Sequence, residues 1–198
     1  LTVTNTTVSA NWATNGAAIY VSRGNVTLAN VAIAGNSASW RGGGVCNAGS
    51  LTVTGSTFSG NTGTGGGIYN DQGTVTVIGS TFSDNLVMHD YGRGGGIRNS
   101  LGTVSITDST FSMNSVGDSG EGGAIHNDQG VLTVAASTFS GNSVGEYGKG
   151  GGIYTFQGAV TVATSAFSDN SVGAYGEGGG ICNREGMLTV TSSTFLRN

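Results

Sequence analysis

The sequence predicts an all-β chain folded as a parallel β-helix, with short strands coiled into stacked rungs, three strands to a rung and about eight rungs. Three observations predict it. The first is a repeat: Gly150 to Asn170 reads GGGIYTFQGAVTVATSAFSDN, and Gly122 to Asn142 and Gly178 to Asn198 follow the same plan. Each holds a glycine triplet or near-triplet ending in Ile, a polar turn, an alternating Leu/Val-Thr-Val segment, and Ser-Thr-Phe-Ser-x-Asn or a close variant. The second is hydrophobic period. Leu51-Thr52-Val53-Thr54 and Val104-Ser105-Ile106-Thr107 alternate apolar and polar residues, as half-buried strands do, and no window carries the 3.6-residue period of a helix. The third is composition. The 198 residues include 38 Gly and no Pro, and only 9% are charged, yet the apolar residues are regularly spaced, unlike those of a disordered Gly/Ser tract. One such unit cannot bury its own apolar face, whereas stacked units can, so residues 1–198 form one solenoid domain.

The unit ends on Asn, at Asn11, Asn36, Asn61, Asn85, Asn114, Asn142, Asn170 and Asn198, a period of 24 to 25 residues early and 28 to 29 later. Its first strand runs through Gly-Gly-Ile-x-Asn, with Ile19, Val45, Ile68, Ile97, Ile125, Ile153 and Ile181 facing inward. The glycines before it turn the corner into the strand. In the second strand Val160 and Val162, with their equivalents, point inward. The residue between them points out, giving a row of Thr2, Thr27, Thr52, Thr76, Ser105, Thr133, Thr161 and Thr189; β-branched Thr suits an exposed strand face. The third strand places Val8, Ile33, Phe58, Phe82, Phe111, Phe139, Phe167 and Phe195 inside, stacked down the axis.

An Asn side chain both donates and accepts, so the terminal Asn column is expected to form an internal or turn-side amide ladder. A second Asn column, Asn47, Asn70, Asn99, Asn127 and Asn183, is broken by Thr155. The later units carry an insert, Ser143 to Lys149 in one of them, whose Tyr recurs as Tyr91, Tyr147 and Tyr175, with Ser119 in the remaining slot. The insert's last residue alternates in sign: Arg93, Glu121, Lys149, Glu177. Stacked, these form a charge ladder that avoids like neighbours. Exposed pairs contribute only about 0–1 kcal/mol each, so the ladder is expected to fix register more than stability.

Gly122-Gly123-Ala124-Ile125 and Phe139-Ser140-Gly141-Asn142 resemble the GGA(I/L) and FxxN repeats of the chlamydial polymorphic outer-membrane proteins. The pattern is similar, too, to the right-handed β-helix repeats of large bacterial surface and secreted proteins. The resemblance covers nearly the whole chain. It implies a right-handed parallel β-helix on the cell exterior, often an adhesin or stalk. The motif residues build the rung and perform no chemistry, so the resemblance speaks to fold more than to activity.

Candidate chemistry is sparse. A net charge of -4 with seven Lys and Arg excludes a nucleic-acid surface, which needs clustered basic residues. No apolar run approaches membrane-spanning length, so no membrane insertion by this segment is expected. The densest acidic group, Asp90, Asp118 and Glu146 in successive inserts, reads as a solvated loop face, with a cation or sugar site as the sharper alternative. Asp71 and Asp128 sit in Asn-Asp-Gln-Gly turns. Cys46 and Cys182 fall five rungs apart, roughly 24 Å at strand spacing, too far for a mutual disulfide. They share an outward column with Tyr20, Tyr69, Arg98, His126 and Tyr154, a candidate binding strip for a partner or sugar, to which Trp12 and Trp40 of the early inserts add aromatic surface. No catalytic constellation, metal or cofactor is expected.

The expected function is a structural extracellular rod: a surface protein, an adhesin stalk, a self-assembling filament, or a segment of a longer protein. The expected partners are copies stacked end to end or flanking repeats, with a glycan or host surface as a further candidate. Two alternatives remain: a polysaccharide-binding or polysaccharide-cleaving β-helix, and ice binding through the Thr row, which the Ala and Ile residues of the neighbouring outward column disfavour.

Overall fold

A computed structural model describes residues 1–198. The chain is entirely strand and turn, arranged as four parallel sheets. The first sheet contains the Leu-Thr-Val segments, from Thr2–Thr4 and Asn25–Ala29 to Met187–Thr191; the second contains the Phe segments, from Thr7–Ser9 to Thr194–Leu196. Both have eight strands. The fourth sheet carries the Gly-Gly-Ile-x-Asn strands, from Ile19–Val21 to Ile181–Arg184, and has seven.

The third sheet is where the structure departs from three strands per rung. Trp12–Asn15, Ser37–Arg41, Thr62–Thr64, Leu86–Val87, Ser115–Val116, Ser143–Val144 and Ser171–Val172 form a seven-stranded sheet of their own. In the later units these strands are only two residues long, too short to show alternation in the sequence. Their inward valines nevertheless build a small second core of Val87, Val116 and Val144, with Val172 packed against it. The recurring Ser-Val-Gly of the inserts is the sequence trace of this sheet.

Register follows the repeat residue by residue. Val104, Leu132, Val160 and Leu188 pair in succession, as do Phe58, Phe82 and Phe111. The Thr row pairs as expected from Thr2 to Thr189. The six phenylalanines stack with centroids 4.6–4.9 Å apart and ring planes within 8° of parallel. The rung spacing of a sheet thus falls within the range in which aromatic pairs attract. Five of the phenylalanines, Phe58 to Phe167, join the inward Ile, Leu and Val residues in one continuous core of 26 buried residues, while Phe195 is exposed.

Glycine alone does not make the corners. Single residues in the left-handed region turn the chain after the first and second sheets, and many carry side chains: Asp108, Ala136 and Thr164 at one corner, Asp84, Met113 and Asp169 at the next. That conformation is unfavourable for an L-residue. Here the same residues keep the ladder intact, since the Ala136 N–H donates to Ala163 O at 3.1 Å and the Met113 N–H to Ser140 O at 3.1 Å.

The glycine triplet has two separate causes. Its first member has φ near +65°, as at Gly94 and Gly150, and makes the turn. Its second member has no room for a side chain: a Cβ on Gly123 would meet the carbonyl of Gly151 and lie 2.7 Å from Ser143 O. The third slot tolerates a methyl, and Ala124 fills it fully buried. Gly123→Ala should therefore destabilise the chain by about 1–3 kcal/mol, as overpacking against fixed backbone does. Gly96→Ala, in the slot Ala124 occupies, would bring its Cβ to 2.9 Å from Ala124 O, a milder clash, and should cost less, about 1 kcal/mol. Urea unfolding of the two variants checks the ordering.

Candidate functional site

The Asn columns form inside the coil. Asn114 Oδ1 accepts from the N–H of Asn85 at 3.2 Å and from its Nδ2 at 2.9 Å. Asn114 Nδ2 donates to Phe82 O of the preceding rung and to Asn142 Oδ1 of the next, both at 2.9 Å. The pattern repeats from Asn36 to Asn170, all fully buried. The second column runs Asn47, Asn70, Asn99, Asn127 through Nδ2-to-Oδ1 bonds of 2.7–2.8 Å, then ends on Thr155 Oγ1 at 3.2 Å. Sequence reasoning missed a third ladder. Ser56, Ser80, Ser109, Ser137 and Ser165 are buried; the Ser80 N–H donates to Ser109 Oγ at 3.2 Å, and that hydroxyl donates to Thr107 O at 2.7 Å. The Ser two residues before each Phe carried the signal. These ladders satisfy buried polar groups that would otherwise be costly.

The outer face of the fourth sheet differs from expectation. The column Tyr20, Cys46, Tyr69, Arg98, His126, Tyr154, Cys182 does share one face in register. It is not an open strip, however. Tyr20 is exposed, Arg98 and Cys182 are half-buried, and Cys46, Tyr69, His126 and Tyr154 are 5% exposed or less. The left-handed first glycine folds the preceding chain back over the column: a Cβ on Gly65 would lie 3.0 Å from Tyr69 Cα, and one on Gly178 2.8 Å from Cys182 Cβ. The residue before each of these glycines therefore runs along the column's edge.

That edge is the charge row. Arg93, Glu121, Lys149 and Glu177 are bridged in register. Arg93 Nε contacts Glu121 Oε2 at 3.2 Å, and the same oxygen meets His126 Nε2 at 3.2 Å. Lys149 enters no ion pair within 4.0 Å. Arg41, which sequence reasoning left out, occupies the same slot two rungs before Arg93. Its guanidinium lies 4.9 Å from the Tyr69 ring and 5.0 Å from that of Trp40, and it pairs with Asp71 at 3.0 Å. Arg98 covers Tyr69 at 5.1 Å. The signal was the charged residue directly ahead of Gly42-Gly43-Gly44, as Arg93 is ahead of its own triplet.

Burial sets the acid–base character of this column. It pushes the Cys46 thiol up to about 11 and raises Cys182 as well. Both thiols are free and protonated at neutral pH, hence poor nucleophiles. Burial, with the Glu121 carboxylate adding to it, lifts the Tyr154 phenol to about 12. Burial also holds His126 below its ordinary 6.5, only partly opposed by the hydrogen bond with Glu121. Burial opposes ionisation of Glu121 in turn, but the His126 hydrogen bond and the charges of His126, Arg93 and Lys149 outweigh it and leave its carboxyl below 4.5. Both folded-state pKa values are depressed, so the unfolded chain binds more protons and stability falls as pH drops below about 6.5. Unfolding midpoints measured from pH 7.5 to 4 should show this decline, and His126→Gln should flatten its upper part.

The remaining candidates lie apart from this face. Asp118 Oδ1 accepts the Glu146 N–H at 2.9 Å in the insert loops, and no three His, Cys, Asp or Glu residues gather closely enough to hold a metal ion. Tyr147 and Tyr175 stack on the surface at 5.2 Å; Tyr91, Trp12 and Trp40 are exposed. Beside the Thr row, the neighbouring outward column carries Ala29, Ile78, Ala135 and Ala163 in register with Thr54 and Thr107. A cleft of about 380 Å³ opens over the fourth sheet, lined among others by Glu121, His126, Asp128, Tyr154, Phe156 and Arg184.

Residues 136–155 match the family model of the Chlamydia polymorphic membrane protein (Chlamydia_PMP) repeat. The matched stretch holds Phe139 to Asn142 and Gly150 to Ile153, the Phe-stack and Asn-ladder residues of one rung together with the glycine corner of the next. No curated protein and no solved structure gives a significant match.

Proposed function

We propose that this chain is the rigid rod of a bacterial surface protein, a spacer that carries no catalytic activity. One observation supports this above the others: the side chains that recur from rung to rung are engaged by their neighbours above and below. The Phe stack, both Asn ladders and the Ser ladder are internal, so the repeat encodes mechanical continuity along the axis. The similarity of residues 136–155 to a membrane-protein repeat supports placement at the outer membrane or cell surface. The partner that suits such a rod is a further rung of its own kind. Electron microscopy and small-angle scattering test the shape, and antibody labelling of intact source cells tests the location. A rod of constant width, eight rungs or roughly 35–40 Å long at strand spacing, together with surface labelling, supports the proposal. A globular envelope or label confined to the cell interior would overturn it.

A further inference from the structure

The columns that build the rung are uniform, whereas those that line the cleft over the fourth sheet are not. One column meets it at His126 and Tyr154 and changes at each step, from Arg98 to His126 to Tyr154 to Cys182. The next outward column does the same, from Ser100 to Asp128 to Phe156 to Arg184. These residues make no ladder, and several have no partner in the chain. Arg184 forms no side-chain hydrogen bond or ion pair, and Asp128 accepts only a long bond of 3.4 Å from Gln129. His126 Nδ1, on a side chain 98% buried beside the cleft, has none either. A buried orphan of that kind calls for a ligand or an ordered water.

We infer that this cleft is a binding site for an uncharged saccharide. Its 380 Å³ lies within the size range of small-ligand sites. It crosses three strands, Ile125–Asp128, Ile153–Phe156 and Ile181–Arg184, two spacings or about 10 Å, the reach of a short oligosaccharide. Its chemistry is bipolar. Asp128 and Glu185 offer acceptors, and Arg184 and Gln129 offer donors, so vicinal hydroxyls, which both donate and accept, are matched on both counts. Phe156, half-buried, supplies aromatic surface for the apolar face of a sugar ring. Arg93 is already paired with Glu121, which leaves the carboxylates of Asp128 and Glu185 against the single guanidinium of Arg184, so a uronate is disfavoured. The site stands independently of the rod reading, since a rod can bind or not bind sugar.

The test is a printed panel of neutral, uronate-containing and amino-sugar oligosaccharides, followed by calorimetric titration of the best neutral binder. Asp128→Asn, Arg184→Ala and Phe156→Ala should each raise Kd about tenfold or more, the scale of losing one charged hydrogen bond or one ring contact. Tyr175→Ala, on the insert ridge, should leave Kd unchanged. Apart from the long Gln129–Asp128 bond the side chains replaced make no hydrogen bond or ion pair, and unaltered thermal unfolding would show that the variants fold. Absence of neutral-sugar binding overturns the inference. So does binding that ignores the three cleft variants, or binding restricted to uronates and abolished by Arg184→Ala alone.

Discussion

Asn114→Ala should destabilise the coil by about 2–6 kcal/mol. The substitution leaves two buried donors without partners, the N–H of Asn85 and one Nδ2 proton of Asn85, and takes from the carbonyl of Phe82 its bond from the Asn114 side chain. Each orphan costs about 1–3 kcal/mol, and no water can reach them, because Asn85 and Asn114 are both fully buried. The Asn142 Oδ1 keeps one donor, the backbone N–H of residue 114, so the damage runs toward the preceding rung only. Asn11→Ala is the informative comparison. Asn11 is exposed at the first rung and donates to Asn36 without receiving a bond from a rung before it, so its replacement should cost under about 1 kcal/mol. A steep contrast in urea midpoints checks the ladder. Because a solenoid unfolds as coupled neighbours, the Asn114 variant is also expected to broaden the transition.

Phe111→Ala should cost about 3–5 kcal/mol, the range for emptying a buried aromatic site. Phe111 is fully buried and stacked on both sides, 4.8 Å from Phe82 and 4.9 Å from Phe139. The cavity cannot collapse, because the rungs above and below are held apart at strand spacing by their own ladders. Phe111→Leu, which keeps most of the volume, should recover more than half of the loss. Ile33 already occupies the same column fully buried, so an aliphatic side chain fits there. Equal destabilisation by both variants would mean that aromatic stacking rather than filled volume holds the column.

Much of this fold was legible because each rung repeats its neighbours. The inward Phe and Val columns, the Asn ladders and the Thr row all follow from the two-residue period and from identical residues recurring at identical places. What escaped was shorter or less uniform. The third sheet rests on two-residue strands such as Ser143–Val144, below the length at which alternation can be seen. The Ser ladder was hidden in the Ser-Thr-Phe motif, where Ser reads as a turn residue. Alternation puts the fourth-sheet column on the outer face of its sheet, where the register has it, but does not reveal that it is covered. Alternation reports which side of its own sheet a residue faces. It says nothing of chain folded back over that side, and here the left-handed glycines lay Arg41 and Glu121 across Tyr69 and His126. The cleft was invisible for the same reason: Asp128, Phe156 and Arg184 share no residue type, and only the coil brings them into line.

The recurring polar side chains are sealed inside the coil as ladders. Hydrogen exchange of the Asn carboxamides, followed by nuclear magnetic resonance, measures this directly. The Nδ2 protons of Asn61, Asn85, Asn114 and Asn142, which donate to the neighbouring rungs on both sides, should exchange as slowly as the backbone N–H groups of the same rungs. Those of exposed Asn25 and Asn5 should exchange at the rate of a free amide. Rapid exchange at Asn85 and Asn114 would contradict the ladder and, with it, the reading of the repeat as a mechanical scaffold.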